Sequence, residues 1–183
     1  MQHIDNLEIV ERYIILLLGA ESNPIPSEIH IQKELFVLSK IKPVIQNFLN
    51  FEKHYKGPYS QILQETVKEP FHYSSAYIFD GDKISITKDG NKVYGEILNA
   101  YNKDPKFLEL VQAMRLVRDI YDKLSPDELL FLVYATYPEY IEFSDIYDKL
   151  FKNTKRRSQI LKSLLEKNLI TDKRYRELLN NNG

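Results

Sequence analysis

The residues best suited to chemistry in this chain are cations rather than nucleophiles or metal ligands. Cysteine is absent, which removes disulfides, thiol catalysis and Cys-bearing zinc sites. The four histidines, His3, His30, His54 and His72, stand too far apart for a His-x-x-x-His pair, and no three or four metal ligands converge in sequence. His54 sits beside Tyr55, a pairing that reads as a turn histidine packed on an aromatic ring. Asp80-Gly81-Asp82 begins like a calcium loop but lacks that motif's later glycine and glutamate. Glu142, Asp145 and Asp148 share one helical face and read as a solvated acidic stripe. There is no Gly-x-Ser-x-Gly elbow, P-loop or dinucleotide fingerprint. The expectation is a non-enzymatic protein with no catalytic residues, no metal and no cofactor.

The cations are concentrated. Overall the chain carries 25 Lys and Arg against 26 Asp and Glu, a formal charge of −1, which argues against binding nucleic acid by bulk charge. By region the balance differs: residues 1–104 hold 11 basic and 14 acidic side chains, and residues 105–183 hold 14 and 12. From Ser125 to Asp148 there are six acids and no Lys or Arg, whereas Lys149 to Arg176 holds ten bases against Glu166 and Asp172.

Lys155, Arg156, Arg157 and Lys162 are the candidates for phosphate contacts, with Gln159 as a base reader, because ammonium and guanidinium groups suit phosphate and an amide suits base edges. The competing reading makes the same helix a solvated face whose bases balance the acidic helix beside it.

The elements that must position these groups are mostly helical. Leu7, Val10, Ile14, Leu17 and Leu18 mark an amphipathic helix within Met1–Ala20, ended by Asn23-Pro24-Ile25-Pro26. Ser27 is placed to cap a helix over 28–40, and Pro43 to open a short one. Gly57 and Pro58 set a sharp turn, with Ser60 capping a helix to Lys68. Tyr77 to Thr87 reads as a hairpin around Asp80-Gly81-Asp82, followed by a helix to about Asn102. Beyond Asn102–Pro105 the pattern is helical throughout. Ser125-Pro126-Asp127-Glu128 forms the best helix start in the chain, and Phe143–Leu150, Lys152-Asn153 and Lys155–Lys167 give a second helix-turn-helix pattern.

The expected fold is therefore mainly α with a small two-stranded β-wing. A winged helix-turn-helix domain with an extra N-terminal helix spans 1–104, and a helical domain spans 105–183. The longest apolar run, Tyr13 to Ala20, is eight residues where a membrane span needs about 20, and no signal peptide is visible. The expectation is a cytoplasmic protein that does not span a membrane.

Three short pieces carry a resemblance. They are Gln32-Lys33-Glu34-Leu35-Phe36-Val37-Leu38, the turn His54-Tyr55-Lys56-Gly57-Pro58-Tyr59-Ser60, and Ile84-Ser85-Ile86-Thr87 with Lys88-Asp89-Gly90. On these, Ile31 to Gly95 resembles an uncharacterised family of prokaryotic winged-helix-like proteins and, distantly, the SocA-like (Panacea) antitoxin domain. The segment from Asp127 to Glu139 looks like the helical tails of archaeal members. The resemblance implies a regulatory or interaction role and no catalytic residues.

Two functions follow as expectations. One is a DNA-associated, homo-oligomeric regulator contacting double-stranded DNA through the basic segment. The other is an antitoxin- or adaptor-like module docking a protein partner through the winged-helix surface and the turn of Tyr55, Gly57, Pro58, Tyr59 and Ser60. The hairpin tip carries Asp80 and Asp82 where a phosphate-binding wing needs Lys or Arg, so DNA contact is expected near Lys155 and not on the wing.

Overall fold

The computed structural model describes residues 5–180 and is mainly helical, with two small two-stranded antiparallel sheets. The helices α1 (Asn6–Gly19), α2 (Glu28–Ile41) and α3 (Gln46–Leu49) come first, α3 being entered through a 3-10 turn at Pro43–Ile45. Strands β1 (Glu52–His54) and β2 (Gly57–Tyr59) form one hairpin, followed by α4 (Gln61–Lys68). Strands β3 (Tyr77–Asp80) and β4 (Lys83–Ile86) form the other, followed by α5 (Lys88–Ala100) and α6 (Pro105–Tyr121). The chain continues with α7 (Pro126–Thr136), α8 (Tyr147–Phe151), α9 (Thr154–Glu166) and α10 (Asp172–Asn180). Among the described residues no helix is long and apolar enough to cross a membrane.

The chain divides into two compact units. The first comprises residues 1–52 and 59–123, and the second residues 53–58 and 124–183. Helix α6 belongs to the first, where it packs on α1 and α2.

In the first unit α1 is the central element. Ile14 to Leu18 are buried without a break, so this helix is covered on all sides in its second half, by α3, α4, α5, α6 and β4. Each such Leu or Ile contributes roughly 1.5–3 kcal/mol by leaving water. Polar groups tie the ends of this apolar rod down. Glu11 is fully buried, and its carboxylate accepts the N–H groups of Phe71 (2.8 Å), His72 (3.0 Å) and Tyr73 (2.7 Å), fixing the loop before β3. At the other end Arg118 of α6 donates to the carbonyls of Leu17 (2.7 Å), Leu18 (3.3 Å) and Asn23, capping the C-terminal end of α1.

The caps follow local chemistry. Asp5, Ser60, Thr87, Asp104 and Asn153 each accept an N–H in the first turn of a helix, and Ser125 with Glu128 completes a capping box. Ser27 departs from its expected role: it makes no cap bond, and its hydroxyl instead lies 2.8 Å from Nδ1 of His30. Helix α5 begins at Lys88 because Thr87 supplies the cap. Gly90 is required there: a Cβ at this position would lie 2.0 Å from the carbonyl oxygen of Ala76. The register of β3 on β4 pairs Tyr77 with Ile86 and Asp80 with Lys83, leaving Gly81, at φ +60°, in the two-residue turn. β4 is paired on its other side by Ile25, through two hydrogen bonds with Ile84.

The second unit is built on α7 and α9. Leu129, Phe131, Leu150, Leu161 and Leu164 are fully buried, and Phe151 stacks on both Phe131 (4.3 Å between centroids) and Tyr147 (4.6 Å). The β1–β2 loop reaches into this unit. Gly57, at φ +76°, sits against the ring of Tyr134, the carbonyl of Tyr55 accepts the N–H of Asp145 (3.2 Å), and Lys53 pairs with Glu142. Gly57 and Pro58 predict a sharp turn, and the structure adds a short hairpin around it, which follows from a left-handed glycine that lets the chain reverse directly.

Candidate nucleic-acid interface

Helix α9 follows α8 after two residues, Lys152 and Asn153, and the Asn153 side chain accepts the N–H of Arg156 at 3.0 Å. Its inner face is set by Ile160, Leu161 and Leu164, all buried against α7, α8 and α10. The opposite face is therefore fixed by geometry. Lys155, Gln159 and Lys162, spaced four and three residues apart, stand exposed in one row. Lys155 and Gln159 have no charged or hydrogen-bonding partner among the described residues, and Lys162 has only a 3.8 Å contact with Glu166 one turn on. Lys173 and Arg176 of α10 are further exposed bases of the same segment.

Two of the expected phosphate contacts are committed elsewhere. Arg157 is only 6% exposed and donates from Nη2 to the carbonyl of Leu179 at 3.0 Å, tying α9 to the last turn of α10. It precedes Ile160 and Leu161 by three and four residues and Leu164 by seven. That spacing places it on the buried face and was legible in the sequence. Arg156 donates from Nε (3.1 Å) and Nη2 (2.6 Å) to the carboxylate of Asp127 at the start of α7. Lys149 lies 3.5 Å from the same carboxylate, and Lys167 donates to Glu128 at 2.7 Å. Burial works to raise the Glu128 carboxyl, but hydrogen bonds from Lys167, Ser163 and the N–H of Ser125 outweigh it and hold the group below the usual carboxylate range. The acids of α7 thus neutralise one side of the basic segment, and the row on α9 faces solvent with the exposed bases of α10.

The second expected surface, the turn after β1, is largely internal. Gly57 and Pro58 are buried, Tyr59 is half-buried, and Ser60 is fully buried, donating its hydroxyl hydrogen to the carbonyl of Leu49 while accepting the N–H of Leu63. Only Tyr55, with neighbouring Lys56, is exposed. The residue types of this motif serve backbone geometry: a left-handed glycine, a fixed proline φ and a capping serine.

The first unit also exposes apolar side chains. Ile78 (57% exposed) and Phe79 (40%) of β3 stand beside Asp80 and Asp82, and Phe71 (75%) lies in the preceding loop. Of the described histidines, His54 packs tilted against the ring of Tyr55 (3.9 Å between centroids), His30 is buried beside Ser27, and His72 lies 3.2 Å from Asp5; His3 is outside the described residues. Among the described residues no three metal-ligating side chains converge. Comparison with known protein families and with curated proteins finds no match to this chain.

Proposed function

We propose that this protein is a cytoplasmic, homo-oligomeric, DNA-associated regulator whose first unit is a winged-helix module and whose contact with double-stranded DNA is made by α9. The observation that carries this reading is the exposed row Lys155, Gln159 and Lys162, on a helix whose other face is buried and whose start follows a two-residue turn. Two ammonium groups flank one amide, an arrangement suited to straddling phosphates while the amide meets a base edge. The cations Lys173 and Arg176 extend the positive surface into α10. The acidic tip of the second hairpin makes that hairpin a poor phosphate binder, so the contact is local to the second unit.

Duplex binding measured across a salt series tests this. Affinity should fall linearly on logarithmic axes with rising salt. Each phosphate contact removed should flatten the slope by about 0.9. The double variant Lys155→Glu, Lys162→Glu should therefore bind more weakly and flatten the slope by about two. Absence of salt-dependent duplex binding at low ionic strength overturns the reading.

A second reading has its own observation. Ile78 and Phe79 are exposed apolar side chains on the two faces of β3, next to Asp80 and Asp82, which suits a protein partner that grips this hairpin with an apolar, basic surface and makes the module antitoxin- or adaptor-like. Purification from the native host discriminates: a stoichiometric protein that is lost in Ile78→Ser, Phe79→Ser, with no nucleic acid present, favours docking over DNA contact.

A further inference from the structure

The interface between α2 and α6 contains an imbalance of charge that the DNA reading does not use. Glu34 of α2 is fully buried, and its carboxyl faces that of Asp122, just past the C-terminal end of α6. One cation serves both: Nε of Arg118 lies 2.8 Å from Asp122 Oδ2 and 3.9 Å from Glu34 Oε2. The guanidinium is itself fully buried, and its other donors are taken by the carbonyls of Leu17, Leu18 and Asn23. Both oxygens of Glu34 and Oδ1 of Asp122 are buried and receive no donor from the described residues. Two facing carboxylates, both ionised, would leave three acceptor oxygens unpaired and one net negative charge in a desolvated site.

We propose that Glu34 and Asp122 hold one proton between them, forming a proton-dependent clamp that closes α6 on α2 and loosens when that proton is lost. The proton supplies the missing donor. It bridges the two carboxyls, and the remaining single negative charge pairs with Arg118. Asp122 and Arg118 also line a cleft of about 460 Å³ beside the Asn23–Pro26 segment and Lys83, so Asp122 is the member through which the proton exchanges with water. The other charged and titratable groups in reach are His30 of α2, which acts on Asp122, and the cleft residues Glu21, Lys83, Asp119 and Lys123. α1 contributes only carbonyls to the site.

Burial first, and then the neighbouring Asp122 charge, push the Glu34 carboxyl well above the ordinary glutamate value of 4.5, against the pull of Arg118. A group raised in the folded state stabilises fully below its unfolded value, and that stability is lost as pH climbs through the folded value. The clamp is therefore tight in acid and opens on the alkaline side.

The test is the thermal midpoint of the full chain between about pH 5 and pH 9, in wild type and in Glu34→Gln, which mimics the protonated acid. Wild type should lose midpoint as pH rises. The variant should show a flatter profile and exceed wild type at the alkaline end. The double variant Glu34→Gln, Asp122→Asn should fall below both, because it strands Arg118 without a counter-charge. Parallel profiles for wild type and Glu34→Gln overturn the proposal, as does a flat wild-type profile. Should Glu34→Gln not fold, infrared spectroscopy of the wild type decides. A protonated-carboxyl C=O band at neutral pH that vanishes on raising pH is the expected result, and its absence overturns the clamp.

Discussion

The side-chain amide of Gln32 hydrogen-bonds both the N–H and the carbonyl of Ser60. Its Nε2 donates to the Ser60 carbonyl at 2.9 Å, and its Oε1 accepts the Ser60 N–H at 3.0 Å. Both residues are buried, at 3% and 0% exposure. Gln32 belongs to α2 and Ser60 to the turn that opens α4, so two segments 28 residues apart meet at one reciprocal contact. A side chain here does what a neighbouring strand does in a sheet: it pairs a stretch of backbone that no regular element covers.

Gln32→Ala should accordingly be more damaging than its chemistry suggests. It leaves the buried Ser60 N–H unpaired, at a cost of about 1–3 kcal/mol, while the Ser60 carbonyl keeps the N–H of Gln64 at 3.1 Å. Ser60→Ala keeps the backbone pair with Gln32 but removes the cap on α4 and strands the Leu49 carbonyl, and should cost about 2–4 kcal/mol. Urea unfolding measures both losses, and a Gln32→Ala variant as stable as wild type would count against the bidentate role.

The glycines separate into three expected outcomes. Gly57→Ala forces an L-residue into the left-handed region with the Tyr134 ring 3.3 Å from its Cβ, a loss of about 1–2 kcal/mol. Gly90→Ala drives a methyl into the Ala76 carbonyl and should destabilise more, because backbone cannot swing aside as a side chain can. Gly95→Ala meets open space inside α5 and should gain about 0.5–1 kcal/mol. Thermal midpoints of the three variants check the order.

Arg157→Ala and Lys155→Ala distinguish the inner from the outer face of α9. The first removes a buried side chain and its bond to Leu179, and should cost about 1–3 kcal/mol while leaving the salt slope of duplex binding unchanged. The second should leave stability within about 0.5 kcal/mol of wild type and flatten the slope by about 0.9. Denaturation and binding titrations on the same samples read both effects.

Glu11→Gln replaces an acceptor oxygen with an amide that points hydrogen at backbone N–H groups. The loop at Phe71 to Tyr73 should then lose protection from hydrogen exchange, and the protein should lose about 2 kcal/mol or more.

Much of the local structure is legible in the sequence because it rests on nearest-neighbour chemistry. Ser125 with Glu128 announces a capping box, Asp80-Gly81-Asp82 a two-residue turn, and the 3.6-residue period of Val10, Ile14 and Leu17 an inward face. Periodicity says that a face is buried, not what buries it. It therefore does not reveal that α6 lies on α1 and α2, or that Asp127 occupies Arg156 from a distance of 29 residues. Arg157 is a different case. Its helical spacing to Ile160 and Leu164 places it inside, but the charge of the Lys-Arg-Arg run suggests an exposed site. The Gly57 turn misleads in the same way, since an unusual run of residue types can record backbone geometry as readily as a recognition surface.

The β1–β2 loop has a consequence for synthesis. Residues 53–58 pack with residues 124–183, so the second unit is assembled from two separated pieces of chain. Gly57 leaves the ribosome long before Tyr134, the ring it rests against. The second unit cannot finish folding as a self-contained C-terminal product, because six of its residues arrive first and must wait. No single cut in the chain yields both units whole, and a fragment beginning at residue 124 would lack the backbone that Tyr134 and Asp145 contact.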